Sequence, residues 1–480
     1  MLAVKAGLDP TGLTFDFPRI DEVPFESEHR YMATLHHDHE GHAYILLKGA
    51  PERILELCNK DAEDKALDRD SWLARMEAAA AQGRRVLALA ECDVTPDTTA
   101  LETGDISPRF TLLGFVGMMD PPRPEAIEAV KTCRRAGIRV FMITGDHATT
   151  AAAVGSELEL ATEKPLTGEQ VDQLDDAALR QRLEETDVVA RASPEHKLRL
   201  VAALQTQGLL VAMTGDGVND APALKSANIG VAMGRRGTDA AKEASDLVLT
   251  DDNFATIAQA VQQGRTVFDN IKKSLIFILP TNGGEAGVIL LAVFVGLALP
   301  ITAAQILWIN MVTAITLALA LGFEPAEPGV MSRPPRPPEE PLITRLLLVR
   351  IIYVSLLMVA VAFTAYEWEL ARGSGIDTAR TAVVNALVFG ELVYLFNTRY
   401  FTRHAFSANT LYGNPVAFWA SAILVGLQML FTYTPPMQQL FHTTALDAAS
   451  WALILALSLG KFLAVEAEKW LFRRRGVVRI

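Results

Sequence analysis

The chain has 480 residues, of which 50% are hydrophobic, 21% are charged and 7% are aromatic, and its formal net charge is -12. The apolar content excludes a disordered chain, three cysteines exclude a disulfide-stapled secreted domain, and the negative charge argues against a nucleic-acid partner. The chain is more apolar than a soluble core requires, so we expect membrane segments. Because Cys58, Cys92 and Cys133 have no metal-ligand spacing, they are predicted to be reduced thiols in a cytosolic region.

The part of the chain before residue 275 has mixed charge, Pro and Gly punctuation and short apolar stretches, which predicts a soluble α/β region. Two segments in it, 137–146 and 209–220, share one design, an apolar stretch that runs directly into a Thr-Gly-Asp turn. Such strands are typical of a parallel sheet covered on both faces, where ligands gather at the carboxyl ends. One Thr-Gly-Asp turn is more often a helix cap than a site. Two of them, with Lys197 between, predict a site for phosphate and a hard cation.

From residue 275 onward the chain contains six apolar runs, each close to the roughly 20 residues that a spanning helix needs. Their charged residues are Glu285, Arg350, Glu391 and Lys461. Six such runs in succession predict membrane-spanning helices rather than buried helices of a soluble protein. The runs are 275–299, 301–323, 346–366, 381–398, 416–433 and 448–465.

Lysine and arginine cluster at alternate ends of these runs, and positive residues near helix ends stay on the cytoplasmic side. The loops 298–305 and 434–447 carry no Lys or Arg. We therefore expect an integral, multi-pass protein of a bacterial plasma membrane, with the soluble domains and both termini in the cytoplasm. The clustered cations are Arg265, Lys272, Lys273, Arg333, Arg336, Arg345, Arg399, Arg403, Arg473, Arg474 and Arg475.

At four places the soluble part resembles P-type cation-transporting ATPases, namely 48–52 (Lys-Gly-Ala-Pro-Glu), 120–123 (Asp-Pro-Pro-Arg), 142–146 (Met-Ile-Thr-Gly-Asp) and 213–224 (Met-Thr-Gly-Asp-Gly-Val-Asn-Asp-Ala-Pro-Ala-Leu). The similarity covers essentially the whole chain in the right order. Residues 308–313 (Trp-Ile-Asn-Met-Val-Thr) resemble the ion-binding helix of the calcium and sodium/potassium pump branch.

The resemblance implies an α/β cytosolic part followed by an all-α, six-helix transmembrane bundle. The cytosolic part would contain a partial nucleotide-binding domain, residues 1–114. A haloacid-dehalogenase-like, Rossmannoid phosphorylation domain that lacks its nucleophile strand would follow at 115–270, and the membrane domain would cover 271–475.

The resemblance also implies ATP and Mg²⁺ as cofactors and assigns roles to cytosolic residues. Phe25 would stack on adenine and Arg85 would reach the phosphates, although a core phenylalanine and a surface arginine are the ordinary alternatives. The other implied nucleotide-binding residues are Lys48, Gly49 and Arg191. The implied catalytic residues are Thr144, Gly145, Asp146 and Lys197 around the phosphoryl group, Asp216 as the Mg²⁺ ligand, and Asn219 and Asp220, which complete its shell.

Ionisable groups inside a membrane are costly and normally face the bundle interior. Pro280, with the glycines around it, predicts a kink that frees carbonyls for a cation. Calcium pumps have an Asp at the position of Ala314, so one carboxylate is lost, which disfavours two calcium ions and leaves one calcium, sodium or another small cation open. Arg350 is expected to snorkel, while an internal counter-charge role for Lys461 stays open. The implied ligands of the transported ion are Asn282, Glu285, Asn310, Thr313 and Glu391.

The family's phosphorylated Asp lies in an Asp-Lys-Thr-Gly-Thr motif, which does not occur between Met1 and Ile480. Residues 167–170 resemble the dephosphorylation loop of the actuator domain, but their position predicts a helix capping box instead. We therefore expect the carboxyl-terminal portion of a cation pump, either a truncated product or one part of a split protein. Its partners would be the transported cation, the lipid bilayer and the amino-terminal half.

Two alternatives stay open at this stage. The first is a catalytically inactive membrane remnant or regulatory subunit that binds nucleotide. The second is a soluble phosphatase of the haloacid-dehalogenase type, which would also need the missing nucleophilic Asp and has no use for six membrane helices.

Overall fold

The computed structural model describes residues 4, 7–26, 28–118, 121–337, 339–400, 405 and 413–474. It contains two compact units, Met1–Ala258 and Gln259–Ile480. The motif residue Asp120 and the flanking cations Arg403 and Arg475 lie outside the described residues. An α/β part followed by apolar helices confirms the predicted fold class, while the division into three domains stays a prediction.

The first unit begins with a six-stranded sheet in the order β1-β2-β3-β5-β6-β4. Neighbouring strands in this sheet are antiparallel, except that β4 and β6 are parallel to each other. Alternate residues of β3 are buried, as expected for a strand with one covered face. The strands are β1 Arg19–Val23, β2 Tyr31–His37, β3 Ala43–Gly49, β4 Cys58–Asp61, β5 Arg85–Val94 and β6 Phe110–Met118, and the helices are α1 Pro10–Asp16, α2 Pro51–Leu57 and α3 Arg69–Ala80.

The core of this sheet forms between its covered face and the helix α2, whose Ile54, Leu55 and Leu57 are buried against it. Cys58 lies in the same core, and burial raises the pKa of its thiol to about 12. All three cysteines are free, which agrees with the prediction of reduced thiols.

The remainder of the first unit contains two three-stranded parallel sheets, in the orders β7-β9-β8 and β10-β11-β12. The strands are β7 Met142–Ile143, β8 Leu166–Thr167, β9 Val188–Ala190, β10 Ala212–Gly215, β11 Ile229–Met233 and β12 Leu247–Leu249. The helices are α4 Pro124–Arg135, α5 Ala148–Glu157, α6 Gly168–Gln173, α7 Asp176–Glu185, α8 Pro194–Thr206, α9 Ala221–Ser226 and α10 Asp239–Glu243.

The helix α8 packs against both parallel sheets. Leu200 and Leu204 belong to the core of the first sheet, whereas Val201 belongs to the core of the second. Residues four apart lie on the same face of a helix, so Lys197 shares the face of Val201 and His196 shares that of Leu200. The packing of α8 therefore points Lys197 toward the second sheet.

The two predicted apolar strands are shorter than expected. Within 137–146 only Met142–Ile143 pairs as a strand, and the second strand begins at Ala212. Leu209 is also exposed, and Leu210 is 70% exposed, so the prediction that these residues are covered on both faces was wrong. Leu209 and Leu210 precede β10, so they are not part of the sheet, and β7 and β10 are edge strands, each with one paired neighbour among the described strands.

The second unit contains six helices that are long and apolar enough to cross a membrane, as predicted. They are α11 Phe254–Val295, α12 Ala303–Thr313 with its continuation to Leu321, α14 Arg345–Ala371, α15 Ile376–Thr398, α16 Pro415–Tyr433 and α18 Ala448–Arg474. The continuation of α12 is a π-helical segment, Ala314–Ala318, followed by the single turn α13 Leu319–Leu321. A short helix, α17 Pro435–Phe441, follows α16.

Pro280 lies inside α11, which continues through it as one helix. Proline has no N–H, so the carbonyl of Ile276 loses its partner within the helix. The hydroxyl of Tyr394 on α15 donates to this carbonyl at 3.0 Å. The carbonyl of Pro280 itself accepts from Ser355 on α14, also at 3.0 Å. A neighbouring helix thus supplies a donor for the Ile276 carbonyl, and the use of other freed carbonyls by a cation stays a prediction.

Arg350 does not snorkel as expected. Its side chain is buried, and Nε donates to both carboxylate oxygens of Glu468 on α18, at 3.0 and 2.9 Å. The Glu468 carboxylate, which also lies 2.9 Å from Arg350 Nη2, compensates the charge of the buried guanidinium without access to water. The charge of Arg350 therefore joins α14 to α18.

Candidate functional site

The residues Lys197 and Asp220 meet at the carboxyl end of β10. Lys197 Nζ donates to Asp220 Oδ1 at 2.6 Å. The other carboxylate oxygen of Asp220 accepts from the backbone N–H groups of Asp216 and Gly217, each at 3.2 Å. Asp220 is buried and fully used by these three donors, so it holds the turn in shape as well as carrying charge.

The turn requires glycine at position 215 for a steric reason. A Cβ at Gly215 would lie 2.5 Å from Asp220 Cβ, so only glycine allows the Asp220 side chain to fold back under the turn. Asp216 and Asn219 lie on the exposed side of the turn. Asp216 therefore presents a carboxylate outward at the end of a parallel strand, where a hard cation would find oxygen ligands.

The first Thr-Gly-Asp turn follows β7 directly. Thr144 Oγ1 accepts from the Asp146 backbone N–H at 3.1 Å and donates to Asp146 Oδ2 at 3.2 Å. The backbone N–H of Arg191 donates to the Asp146 carbonyl at 3.0 Å, which ties the turn to the end of β9. Gly145 is exposed at the tip, with open space where a Cβ would be. Its backbone is therefore accessible to a ligand.

An ionic cluster lies beside the first turn. Arg85 Nε lies 3.4 Å from Asp146 Oδ1, and Arg191 Nη2 lies 2.7 Å from Glu52 Oε1. His147 Nε2 is 3.7 Å from the same Glu52 oxygen. His147 also caps α5, since its Nδ1 accepts from the Thr149 backbone N–H. The cluster joins the six-stranded sheet to the first parallel sheet.

Sequence reasoning missed Glu52 and His147 as members of this cluster. The signal for Glu52 was present, because it ends the 48–52 motif, but its role as the partner of Arg191 depends on residues 139 positions apart. His147 directly follows the Thr-Gly-Asp turn, where a cap residue was the only readable feature.

Three other predicted nucleotide-binding residues lie on the six-stranded sheet. Phe25 is 60% exposed in the segment after β1, so it is not a core phenylalanine. Lys48 is exposed near the end of β3. Gly49 is buried, and a Cβ there would lie 2.5 Å from the Arg30 carbonyl, so its closest fit is to the neighbouring strand β2.

The predicted cytosolic residues therefore form two groups. One contains Thr144, Asp146 and Arg85 with Arg191 nearby, and the other contains Lys197 with Asp220. In the described part of the chain, no hydrogen bond or ion pair joins one group to the other. Exposed donors at Gly145 and Arg85 fit phosphate, and the outward carboxylate of Asp216 fits Mg²⁺, so the residues present suit a magnesium-bound nucleotide.

The capping-box interpretation of residues 167–170 is confirmed. The backbone N–H of Gln170 donates to Thr167 Oγ1 at 3.3 Å, and the Thr167 N–H donates to Gln170 Oε1 at 3.0 Å. A Cβ at Gly168 would lie 2.3 Å from the Arg191 carbonyl, so this glycine serves a close contact in the fold. The segment starts α6 and has a structural role.

In the second unit, the buried Glu285 and the half-buried Asn310 form a polar pair between α11 and α12. Asn310 Nδ2 donates to Glu285 Oε2 at 2.6 Å and to the Ile306 carbonyl at 3.2 Å. Glu285 is buried. Glu285 Oε1 and Asn310 Oδ1 take no part in this bond, so both are oxygens of the kind that small hard cations bind.

Thr313 and Glu391 extend this cluster to α15. Thr313 lies beside Glu391, although its hydroxyl donates to the Ile309 carbonyl at 3.0 Å. Glu391 is 1% exposed, and the charge of Glu285 is close enough to interact with it. The π-helical segment begins directly after Thr313, and such segments are frequent at functional sites.

Two further positions lie outside this buried cluster. Asn282 is exposed on α11, so it does not share the buried environment of Glu285. Ala314 is also exposed. Of the predicted transported-ion residues, the structure brings four together and leaves Asn282 outside the cluster. The four are Glu285, Asn310, Thr313 and Glu391.

Three family models match the chain in sequence order. The model described as P-type ATPase, cytoplasmic domain N, matches residues 2–125, and the haloacid dehalogenase-like hydrolase model matches residues 198–261. The model described as cation transporting ATPase, C-terminus, matches residues 298–471. These matches cover the six-stranded sheet, the second Thr-Gly-Asp turn and five of the membrane helices.

Named relatives match nearly the whole chain. It is 46% identical to the probable cation-transporting ATPase F of Mycobacterium tuberculosis, over 99% of this chain and 53% of the relative. It is 44% identical to the cation-transporting ATPase pma1 of Synechocystis, over 94% and 51%, and 38% identical to the calcium-transporting ATPase of Bacillus subtilis, over 95% and 52%. The chain therefore spans about half the length of these relatives.

Proposed function

Because this chain belongs to the P-type cation-transporting ATPases and corresponds to their carboxyl-terminal part, we propose that it works in an ATP-driven cation pump. ATP hydrolysis would be coupled through an aspartyl-phosphate to cation transport. The observation that carries the proposal is that one chain combines strand-end turns suited to phosphate with a buried carboxylate–amide pair between membrane helices. A phosphatase has no use for the second feature, and a simple channel has no use for the first.

In this proposal the first unit binds ATP and Mg²⁺, which supply the phosphoryl group and neutralise its charge. Arg85 and the backbone at Gly145 hold phosphate oxygens, and Lys197 places a positive charge beside them. Asp216 holds the metal ion through its outward carboxylate, with Asn219 beside it. Asp220 fixes the turn and orients Lys197.

Phe25, Lys48 and Gly49 are proposed to hold the adenosine end of the nucleotide. Support comes from the exposure of Phe25, whose ring is available for stacking, and from the position of Lys48 at the end of β3. Arg191 would act through Glu52, which it already contacts. The phosphorylated Asp would belong to an Asp-Lys-Thr-Gly-Thr motif, which this sequence does not contain.

The second unit is proposed to carry the ion path. Glu285 and Asn310 supply oxygen ligands, and Thr313 and Glu391 lie in the same buried cluster. Ala314 adds no carboxylate, which favours one calcium ion or a monovalent cation over two calcium ions. The names of the relatives, cation-transporting and calcium-transporting ATPase, agree with a small cation as substrate.

The chain is a multi-pass membrane protein by its six apolar helices, and its relatives include bacterial ATPases. We propose the bacterial plasma membrane as its location, with the first unit and the cation-rich helix ends in the cytoplasm. The alternating positions of Lys and Arg along the sequence support this orientation.

The test is acid-stable incorporation of phosphate from labelled ATP in membranes. The chain would be expressed alone and with a segment that carries the Asp-Lys-Thr-Gly-Thr motif. We expect label only when both are present, on the motif-bearing segment, and label that depends on the transported cation. The absence of label in both samples would overturn the proposal in favour of a nucleotide-binding remnant or regulatory subunit.

A further inference from the structure

Lys461 is a cation in the interior of the second unit. It lies on α18, is 2% exposed, and its Nζ donates to the Gly390 carbonyl at 3.1 Å and contacts the Met358 sulfur. The ring of Tyr394 lies 4.9 Å from the same ammonium group. These partners orient the ammonium but carry no negative charge. Since a charge inside a membrane is costly, Lys461 requires an anion nearby.

Glu391, the residue after Gly390, is the candidate for that anion. Neither carboxylate oxygen of Glu391 has a hydrogen-bond partner among the residues that the structure describes. Lys461 is bonded to the carbonyl of Gly390, the residue before Glu391, so the two opposite charges attract each other, while the buried Glu285 contributes a second negative charge. Glu391 thus interacts with one cation of the protein and with a second carboxylate.

The backbone of Gly390 is the contact that positions Lys461. Its backbone carbonyl has a second lone pair beyond the one used in the helix, and Lys461 donates to it. The closest atoms of Lys461 would lie 3.7 Å from a Cβ placed at Gly390, so the lysine end fills the space beside the helix. The ammonium group is thereby held next to Glu391 by backbone and ring contacts that do not depend on a bound ion.

We propose that Lys461 is a built-in counter-cation of the intramembrane site, which neutralises Glu391 and lowers by one the positive charge that the site takes from transported ions. This inference rests on the proposed pump function and deepens it. Glu285, bonded to Asn310, is then the carboxylate that pairs with the transported cation. One uncompensated carboxylate with neutral oxygens favours a single small cation.

The experiment is equilibrium binding of radioactive sodium and of radioactive calcium to the full-length protein in lipid nanodiscs. Lys461→Met removes the charge and keeps an unbranched side chain. We expect this variant to bind the cation about tenfold more tightly or to bind one additional ion, because a positive charge next to the site is removed. Lys461→Arg restores the charge and should return affinity and stoichiometry to about the wild-type values. Unchanged or weaker binding by Lys461→Met would overturn the proposal.

Two further variants separate charge from folding. Lys469 is a second buried lysine of α18, paired with Glu466 at 2.8 Å, so Lys469→Met should lower thermal stability without raising cation affinity. The double variant Lys461→Met/Glu391→Gln removes both charges and should bind one cation with about wild-type affinity. This variant decides the matter if Lys461→Met alone does not fold. A loss of about tenfold or more in the double variant would overturn the proposal, because Glu391 would then be a direct ligand.

The result also separates this inference from the function on which it rests. Loss of binding in Glu285→Gln, with unchanged binding in Lys461→Met, would keep the cation site and reject the role of Lys461. A wild-type protein that binds neither ion, with a Lys461→Met variant that binds one, would keep the role of Lys461. No binding by either protein would overturn both proposals.

Discussion

The two candidate sites of this protein are built in opposite ways. In the first unit the groups come from short turns at strand ends. The backbone N–H of Asp216, for example, donates to the carboxylate of Asp220, only four positions away in the sequence. In the second unit Glu285 meets Asn310 on another helix, and Ile276 meets Tyr394 from 118 positions away. The first site presents exposed groups around the buried Asp220, whereas the second contains buried groups, of which Glu285 has its partner on another helix.

The difference follows from the surroundings of each site. Water can satisfy the outward carboxylate of Asp216, so the turn can hold it ready for a metal ion without a protein partner. Inside a membrane no water replaces a missing partner, and each polar group must be paired within the protein. The cytosolic site therefore depends on local geometry, and the membrane site depends on the packing of the whole bundle.

The largest effect is expected at Asp220. Asp220→Asn keeps the size of the side chain but removes the charge that faces Lys197 and two backbone N–H groups. A partly buried lysine left without its anion costs about 3 kcal/mol, and the turn loses its shape. We expect phosphate incorporation from ATP to fall about a hundredfold or more, measured as acid-stable label on a co-expressed segment that carries the Asp-Lys-Thr-Gly-Thr motif.

The matched control is Asp239→Asn, in the same unit, because this carboxylate is 98% exposed. It should label as the wild type does. If Asp220→Asn retained full labelling while its melting temperature fell, Asp220 would be a structural residue only. It would then no longer belong to the cytosolic site that is compared with the membrane site.

The next effect is expected at Glu285. Glu285→Gln keeps a hydrogen-bond acceptor for Asn310 but removes the negative charge from the buried pair. We expect cation affinity to fall about tenfold or more, because neutral oxygens compensate a cation poorly in a low-dielectric site. The measurement is the cation concentration that gives half-maximal ATPase activity in membranes that also contain a segment with the Asp-Lys-Thr-Gly-Thr motif. Glu367→Gln, which changes an exposed carboxylate of α14, should leave that concentration unchanged.

A smaller effect is expected at Tyr394, whose hydroxyl replaces the hydrogen bond that Pro280 removes within α11. Tyr394→Phe removes the hydroxyl that donates to the Ile276 carbonyl, which should cost about 1–2 kcal/mol because a buried acceptor is left unpaired. The thermal unfolding midpoint of the detergent-solubilised protein measures the change.

A double-mutant cycle makes this prediction specific. Pro280→Ala restores an N–H that can bond to the Ile276 carbonyl, so Tyr394→Phe should cost less in that background. Equal costs in the two backgrounds would show that the hydroxyl stabilises the bundle independently of the carbonyl that Pro280 leaves unpaired. No cost in either background would leave ring packing on Phe277 as the contribution of Tyr394.

The same contrast explains which features the sequence could predict. The Thr-Gly-Asp turns, the capping box at Thr167 and the six membrane runs depend on neighbouring residues, and the structure contains all of them. The strands β7 and β10 were predicted to be too long, because a run of apolar residues does not show which of them pair with a neighbouring strand.

Long-range partners were the features that could not be predicted. The pairing of Arg350 with Glu468 and of Arg191 with Glu52 joins residues more than a hundred positions apart. A single arginine in an apolar run is equally consistent with snorkelling and with a buried ion pair, since both satisfy the charge. Only the packing of α14 against α18 decides between them, and periodicity does not report that packing.

The smallest effect is expected for the ion pair between Arg372 and Asp447, at one end of α14 and α18. The Arg372 guanidinium, followed by hydrogen bonds from Ser450, lowers the pKa of the Asp447 carboxyl below its usual value. A lowered pKa in the folded protein means that the ionised form contributes stability above the unfolded pKa, and that this contribution disappears as the pH falls through the folded pKa.

Asp447→Asn retains capping ability but not charge, so it should lower the melting temperature slightly at neutral pH and make no difference in strong acid. A difference that persisted in strong acid would show that Asp447 acts through its cap and not through its charge. Because the pair is exposed to water, its effect should also weaken with added salt, unlike that of the buried pair of Glu285 and Asn310.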